Sequence, residues 1–238
     1  DVYKRQKKML PEALGYDRAT IIFSPDGRLI QVEYAKEAAS SGTPVIGVTY
    51  KDGVILIAIK KNPYGKLLIL DSVQKIYKIE SYIGCGITGY LSDGRVLVNV
   101  AREKALNHKA IYGERISIEK LVKDLGDYMQ VFTQYGRLRP FGVAMLLASY
   151  EDKPYLYLLE PSGMYFSFRA IAIGKNADKA NKVLEEGYKE GMNLREAIKL
   201  AIKALKEAVK NEEINKNEIE LVIIDKEGFR PEDISKYW

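Results

Sequence analysis

The chain has 238 residues, of which 47% are hydrophobic, and its formal net charge is +5. This size fits one large domain that can bury a substantial core. The single cysteine, Cys85, excludes an internal disulfide framework and suits a reducing cytoplasm. The single histidine, His108, argues against a histidine-based metal site or a serine triad. No apolar run is long enough to cross a membrane, and the charged N-terminus lacks the apolar stretch of a secretory signal.

The excess of basic residues does not by itself indicate a nucleic-acid partner, because these residues do not cluster. Lysines alternate with glutamates along helix-like segments such as KVLEEGYKEG, residues 182–191. Such mixing is typical of a solvated helix face, whereas nucleic-acid binding needs a concentrated positive patch. The sequence also has no glycine-rich phosphate loop between a strand and a helix, and no cluster of cysteine and histidine ligands. We therefore predict no cofactor, no metal, no nucleic-acid partner and no membrane association.

The first half of the chain contains a turn, a short helix and a series of strands. Ser24-Pro25-Asp26-Gly27 is a turn with proline at its second position. The helix that follows has an apolar face made of Ile30, Tyr34 and Ala38, with Ala35 and Ala39 beside it. Lys51-Asp52-Gly53 joins two β-rich segments, which is typical of a hairpin. The predicted strands cover residues 45–50, 54–59, 67–70, 75–79 and 82–87.

The second half alternates helix pairs with strand runs. The predicted helices cover residues 92–106, the segment beginning at Ser117, 177–190 and 193–210. Ser117 can cap its helix through its hydroxyl. The 92–106 helix has an apolar face made of Val96, Leu97, Val100, Ala101 and Ala105. The predicted strands are 142–149, 154–159, 164–173 and 218–225, with a short polar tail after the last. Hairpin-linked strands between helix pairs predict an α+β domain in which helices cover stacked antiparallel sheets.

Gly42-Thr43, directly before the first strand, allows two interpretations. A threonine that becomes the N-terminal residue can act as a nucleophile with its own α-amine as base. That activity would require cleavage after Gly42, because an amide nitrogen cannot accept the proton. The simpler interpretation is a helix that ends at Gly42 in a left-handed cap and is followed by a strand.

Lys75, in the segment VQKIYKI, allows similar alternatives. A lysine here could lower the pKa of a nucleophile, or meet an incoming carboxylate as a point charge. Without further context, a surface lysine at a strand end is the simplest interpretation.

Residues 15–38, GYDRATIIFSPDGRLIQVEYAKEA, closely resemble the N-terminal signature of archaeal-type α subunits of the proteasome (20S) core particle. The resemblance continues through VIGVTYKDGVILIAIKK, VQKIYKI and FTQYGRLRPFGVAMLLAS, and covers about residues 12–225. The first block is very specific, whereas the later ones are shared more loosely with β-type subunits.

This resemblance implies a four-layer αββα sandwich of the Ntn-hydrolase type, and a ring of seven α-type subunits stacked on rings of β-type subunits. The β-type rings hold the threonine peptidase sites of this protein-degrading complex, while the α ring itself is catalytically silent. The α ring controls the entry of unfolded protein substrates and receives the C-terminal tails of an activating ATPase or another activator. The chain then divides into a tail, residues 1–14, which forms a possible gate, and one domain, residues 15–238.

The resemblance also assigns roles to individual residues. The residues matching the family's gate cluster are Tyr16, Asp17, Arg18, Pro25 and Tyr34. Lys75 and Gly42 match the pocket that receives the terminal carboxylate of an activator tail, a contact suited to an ammonium group.

The same comparison bears on catalysis. Thr43 and Lys75 fall on the β-type nucleophile and active-site lysine, but Ile59 stands where the second strand of a β-type subunit carries an acid. Together with the N-terminal helix, this favours a silent subunit over the alternative, a self-processing threonine hydrolase with Thr43 as nucleophile. Two departures from the family are local: Arg137 follows Gly136 where two glycines are usual, and Tyr90 replaces a common leucine.

Overall fold

The computed structural model describes residues 21–60, 65–210 and 214–238. Within these ranges the α-helices are α1 (Ile30–Ser41), α2 (Leu91–Tyr112), α3 (Ile118–Gln134), α4 (Ala177–Gly187) and α5 (Leu194–Ala208). The strands are β1 (Val45–Tyr50), β2 (Gly53–Ile59), β3 (Ile76–Glu80), β4 (Ile83–Gly89), β5 (Val143–Tyr150), β6 (Pro154–Leu159), β7 (Tyr165–Ser167), β8 (Ala170–Ile173), β9 (Ile219–Asp225) and β10 (Gly228–Glu232).

The strands form two five-stranded sheets. The first sheet has the order β10-β9-β2-β1-β8, and the second has the order β3-β4-β5-β6-β7. Every neighbouring pair is antiparallel, as the predicted hairpins require. The Lys51-Asp52-Gly53 connection gives a tight β1–β2 hairpin, in which Tyr50 pairs with Gly53.

The two sheets stack face to face, and a helix pair covers the outer face of each. Alternate side chains of β2 separate the layers: Val54, Leu56 and Ala58 lie between the sheets, whereas Ile55 and Ile57 face α4 and α5. Helices α2 and α3 cover the second sheet through a separate cluster that includes Leu97 and Leu121. The predicted four-layer αββα sandwich is therefore confirmed.

Helix ends follow the expected local chemistry. The Ser117 side chain accepts a hydrogen bond from the Lys120 backbone nitrogen at 3.3 Å and caps α3, as predicted. Asn193 and Glu196 form a reciprocal capping box at the start of α5. Helix α2 continues to Tyr112 rather than ending near 106, and it ends at Gly113 in the left-handed region. Its last turns are largely solvent-exposed, so they lack the repeating apolar residues from which a helix is predicted.

Two predicted helix faces are corrected in detail. In α2 the buried apolar stripe consists of Leu97, Val98, Ala101 and Ala105, and Val96 is exposed. In α1 the buried residues are Ile30, Val32, Ala35 and Ala39, whereas Tyr34 is 46% exposed. In both helices apolar residues flank the buried stripe, which leaves its direction ambiguous by about one residue in the sequence.

Two predicted strands and the predicted polar tail are also corrected. The segment 67–70 is not a strand: its two ends belong to the short 3₁₀ turns Gly65–Leu67 and Leu70–Ser72, and Leu67 is 93% exposed. The predicted strand 164–173 is two strands in different sheets, since β7 pairs with β6 and β8 pairs with β1. The polar tail after Asp225 contains β10, which pairs with β9 at the edge of the first sheet. An edge position tolerates Pro231, whose missing N–H would weaken a central strand.

Candidate functional site

The connection between α1 and β1 is built around Gly42. Its backbone is extended, with φ −68° and ψ 159°, so the predicted left-handed cap is wrong. The reason for glycine is steric, because a Cβ at this position would overlap the backbone nitrogen of Gly89 and the Oγ1 of Thr88. The carbonyl of Gly42 accepts a hydrogen bond from the backbone nitrogen of Lys175 at 2.7 Å. These contacts hold the end of α1 against β4 and the start of α4.

Thr43 lies next to Lys75, as the catalytic interpretation requires. The Lys75 Nζ donates to the carbonyl oxygen of Thr43 at 2.6 Å and to its Oγ1 at 2.5 Å. The Thr43 hydroxyl in turn donates to the backbone oxygen of Ile59 at 2.8 Å, and Thr88 Oγ1 donates to the Thr43 carbonyl at 3.0 Å. The threonine side chain is thus engaged as both donor and acceptor.

Lys75 is only 2% exposed, so its interpretation as a surface lysine is wrong. Both hydrogen-bond acceptors described for its ammonium are uncharged oxygens of Thr43. Burial in these surroundings disfavours the charged form and lowers the pKa of Lys75 to about 7, although the carboxylate of Glu220 acts in the opposite direction. Lys75 therefore changes its charge near neutral pH.

Glu220, on β9, is a residue of this site that the sequence did not reveal. Its Oε2 accepts hydrogen bonds from the backbone nitrogens of Lys75 at 2.9 Å and Ile76 at 3.2 Å. Burial raises the pKa of Glu220, against the effect of these two N–H donors and of Lys60 and Lys75. The available signal was a carboxylate within the otherwise apolar run IELVII, residues 219–224.

Gly42, Thr43 and Lys75 border a cavity of about 800 Å³. Its wall includes the end of α1, the start of β1, the segment before β3 and the start of α4. Glu37, Gly42, Thr43, Lys75, Lys175 and Asp178 contribute the polar and charged lining relevant to binding. The structure therefore brings the predicted docking residues Gly42 and Lys75 into one concave site.

Tyr90 lies beside the rim of this cavity and is not part of its lining. The lining contains its neighbours Gly89 and Leu91, whereas the Tyr90 ring lies over Gly142 and is 59% exposed. Asp93 fixes this corner by accepting two hydrogen bonds from Arg139 at 2.6 and 2.7 Å and one from the Gly142 nitrogen at 2.9 Å. The hydrogen bonds from Arg139 hold the pKa of Asp93 below its usual value.

The predicted gate residues are only partly described. Tyr16, Asp17, Arg18 and the tail 1–14 lie outside the described residues. Pro25 is exposed in a turn confirmed by the Gly27 nitrogen donating to the Ser24 oxygen at 2.8 Å, and Tyr34 is exposed on α1. The described surface therefore leaves both side chains accessible for contacts with other groups.

Comparisons with known proteins agree with this architecture. The profile of the proteasome subunit family matches residues 39–224, and the N-terminal signature of A-type (alpha) proteasome subunits matches residues 16–38. The chain belongs to the proteasome family and is an α-type subunit.

The relatives are archaeal α subunits. Over 213 residues the chain is 46% identical to the proteasome alpha subunit of Saccharolobus islandicus (strain L.S.2.15), covering 89% of this chain and 88% of the relative. The same identity and coverage hold for the alpha subunit from Saccharolobus solfataricus. The Pyrococcus horikoshii alpha subunit is 42% identical over 231 residues, which is 96% of this chain and 88% of that protein.

Two further kinds of site are lacking from the described part of this α subunit. Residues 21–60, 65–210 and 214–238 contain no group of three or more His, Cys, Asp or Glu side chains arranged as metal ligands. None of the helices in these ranges has the length and apolar character needed to cross a bilayer.

Proposed function

We propose that this α-type subunit forms a catalytically silent end ring, which docks the C-terminal carboxylate of an activator at Lys75 and controls substrate entry with its N-terminal tail. The observation that carries the docking role is a buried lysine at the wall of a cavity, with uncharged hydrogen-bond acceptors. A carboxylate entering the cavity would stabilise the ammonium form more than a neutral oxygen does. The proposed partners are other α-type subunits, β-type subunits and an activating ATPase.

The docking role also requires a change in the hydrogen bonds of the Lys75 ammonium. Its ammonium now contacts Thr43, so an incoming carboxylate must either replace one of these contacts or approach beside them. A carboxylate adds to these hydrogen bonds a coulombic attraction that a neutral oxygen lacks, and this attraction is larger in a buried site than in water. Binding of the carboxylate should therefore raise the pKa of Lys75 and take up protons near neutral pH.

A binding titration tests this role. A fluorescent peptide copying the C-terminus of an archaeal proteasome-activating ATPase is titrated into the assembled ring, together with the same peptide amidated at its C-terminus. We expect Lys75→Ala to abolish the preference for the free carboxylate, and Lys179→Ala, an exposed lysine outside the cavity wall, to preserve it. Equal binding of the free-acid peptide by wild type and Lys75→Ala would refute the docking role.

The alternative function, a self-processing threonine hydrolase, draws on the contact between Thr43 and Lys75. Glu220 also supplies a carboxylate near this lysine, although Ile59 removes the one expected on β2. Against catalysis, the Thr43 nitrogen is part of a peptide bond with Gly42, and its hydroxyl donates to the Ile59 carbonyl. Intact mass distinguishes the two functions: we expect the full chain, and a product beginning at Thr43 would establish the hydrolase.

A further inference from the structure

We propose that Glu220 is a positioning residue for activator docking, because it fixes the backbone of Lys75 and supports the charge of its ammonium. This inference rests on the proposed docking function and deepens it. Glu220 contacts the lysine through its main chain and does not itself need to touch the activator.

The side chain of Glu220 links the two sheets next to Lys75, which is part of the cavity wall. Glu220 lies on β9 of the first sheet, where it pairs with Ala58 of β2. Its Oε2 reaches the backbone nitrogens of Lys75 and Ile76, at the start of β3 in the second sheet, at 2.9 and 3.2 Å. A single carboxylate oxygen therefore accepts two N–H donors that would otherwise need other partners at this sheet edge.

Lys75 is held at three points by these and neighbouring contacts. Glu220 holds its nitrogen, the Ile87 nitrogen donates to its carbonyl at 3.0 Å, and its ammonium bonds to Thr43. The segment before it, a short 3₁₀ turn at Leu70–Ser72, contains no buried residue. Glu220 is thus the anchor at the point where an exposed segment enters the core.

The charges around Lys75 come from several elements. Lys60, at the end of β2, lies near Glu220 and forms an ion pair with Asp71 at 3.7 Å. Glu37 of α1, Lys175 and Asp178 also line the cavity. Of these charged groups, Glu220 is the one that raises the pKa of Lys75 against the effect of burial. Removing the Glu220 charge should therefore lower the pKa of Lys75 further and shrink the pH range in which an ammonium is available.

Two substitutions separate the roles of Glu220. Glu220→Gln keeps an oxygen that can accept the two N–H groups but removes the charge, whereas Glu220→Ala removes both. Glu190→Gln, an exposed acid outside the cavity wall, is the matched control. All three are measured in assembled rings by titrating the free-acid activator peptide between pH 5.5 and 9, with wild type and Lys75→Ala alongside.

We expect Glu220→Ala to weaken peptide binding on the order of tenfold at neutral pH, as loss of a charged hydrogen-bond partner does. We expect Glu220→Gln to move the pH at which binding is half lost downward by about one unit, the size of effect that a nearby opposite charge has. Glu190→Gln should match wild type in both quantities.

The outcomes distinguish this inference from the docking function itself. If Lys75→Ala abolishes carboxylate-dependent binding and Glu220→Gln keeps the wild-type pH midpoint, Glu220 does not support the ammonium charge and the proposal of both roles fails, although docking stands. A uniform loss of affinity at every pH in Glu220→Gln, with no shift of the midpoint, would likewise overturn the proposal in favour of a purely structural role. If Lys75→Ala binds the free-acid peptide as wild type does, the docking function itself is refuted, and the role of Glu220 in docking with it. If Glu220→Ala does not assemble into rings, the pH at which Glu220→Gln loses half of its peptide binding still tests the proposal.

Discussion

At the scale of single residues, Lys75 combines almost complete burial with a group that is normally charged. Its hydrogen bonds to Thr43 satisfy part of the ammonium, and Glu220 supplies the nearby negative charge. Burying this charge lowers the stability of the fold, because the desolvation cost of an ammonium exceeds the gain from hydrogen bonds to neutral oxygens. A functional benefit would explain why the protein has a lysine here. Activator docking is the benefit that we propose.

The cost of this burial predicts a pH dependence of stability. The folded-state pKa of Lys75 is lowered to about 7, whereas an unfolded chain has a lysine pKa of about 10.4. Between these values the unfolded state binds one more proton, so the free energy of unfolding rises with pH across this window. Relative to Lys75→Met, the wild-type curve should rise by up to ~1.4 kcal/mol per pH unit.

Urea unfolding of wild type and Lys75→Met from pH 6 to pH 9.5 measures this difference in the free energy of unfolding. Lys179→Met, which removes an exposed lysine, should run parallel to wild type. If the stability curve of Lys75→Met also runs parallel to that of wild type, burial does not lower the pKa of Lys75.

Arg137 provides a second prediction at this scale. It is a non-glycine residue with φ 71°, at a position where the family resemblance predicts glycine. Left-handed backbone costs a residue with a Cβ roughly 1–2 kcal/mol. Arg137→Gly should therefore raise the free energy of unfolding by about 0.5–1 kcal/mol after the entropic cost of glycine. Arg137→Lys retains the Cβ and should give no gain, and an equal gain in both variants would contradict the backbone explanation.

At the scale of elements, the position of α1 depends on its close approach to β4. Gly42→Ala should destabilise the subunit by about 1–3 kcal/mol, because the new Cβ meets backbone that cannot move aside. Gly136→Ala is the matched control, since its Cβ would only touch Ile21 at 3.9 Å and its φ is not positive. Chemical denaturation of both variants measures the difference, and similar stabilities would show that α1 can shift without cost.

The elements also show how far the sequence could predict the fold. The β1–β2 hairpin follows directly from its apolar runs and the Asp52-Gly53 turn, and Ser117 marks the start of α3. By contrast, β10 carries Arg230, Pro231 and Glu232, and its pairing with β9 is accompanied by the hydrogen bond from Arg230 to Asp225 rather than by an apolar pattern. The division between β7 and β8 depends on which sheet each half joins, which is not a local property.

The candidate site could also be predicted only in part, because some of its contacts join residues that are distant in the sequence. Lys75 and Gly42 follow from the family resemblance, and the contact between Lys75 and Thr43 agrees with it. The role of Glu220 could not be predicted, because 145 positions separate it from Lys75 in the chain. Only the stacking of the two sheets brings its carboxylate to the start of β3.

At the scale of the whole molecule, the four-layer sandwich belongs to a subunit that assembles with other proteasome subunits. Exposed apolar residues such as Phe23, Leu67 and Phe166 are available on the isolated subunit for such contacts. Electron microscopy of the purified subunit should show rings, and a strictly monomeric species, even with a β-type subunit present, would contradict the proposed ring.

The assembled particle also tests the proposed gate. Deleting residues 1–14 should raise the hydrolysis of short peptides in the absence of activator, because the tail would no longer restrict entry. The deletion combined with Lys75→Ala should be as active as the deletion alone, since an open pore needs no docking. Unchanged hydrolysis after the deletion would mean that these residues do not gate.

The most direct test of the account is the stimulation of peptide hydrolysis by a tail-docking ATPase in particles assembled with a β-type subunit. Wild-type and Lys179→Ala particles should be stimulated, whereas Lys75→Ala particles should assemble normally and show their basal rate with or without the ATPase. Full stimulation of Lys75→Ala particles would contradict the claim that Lys75 receives the activator carboxylate.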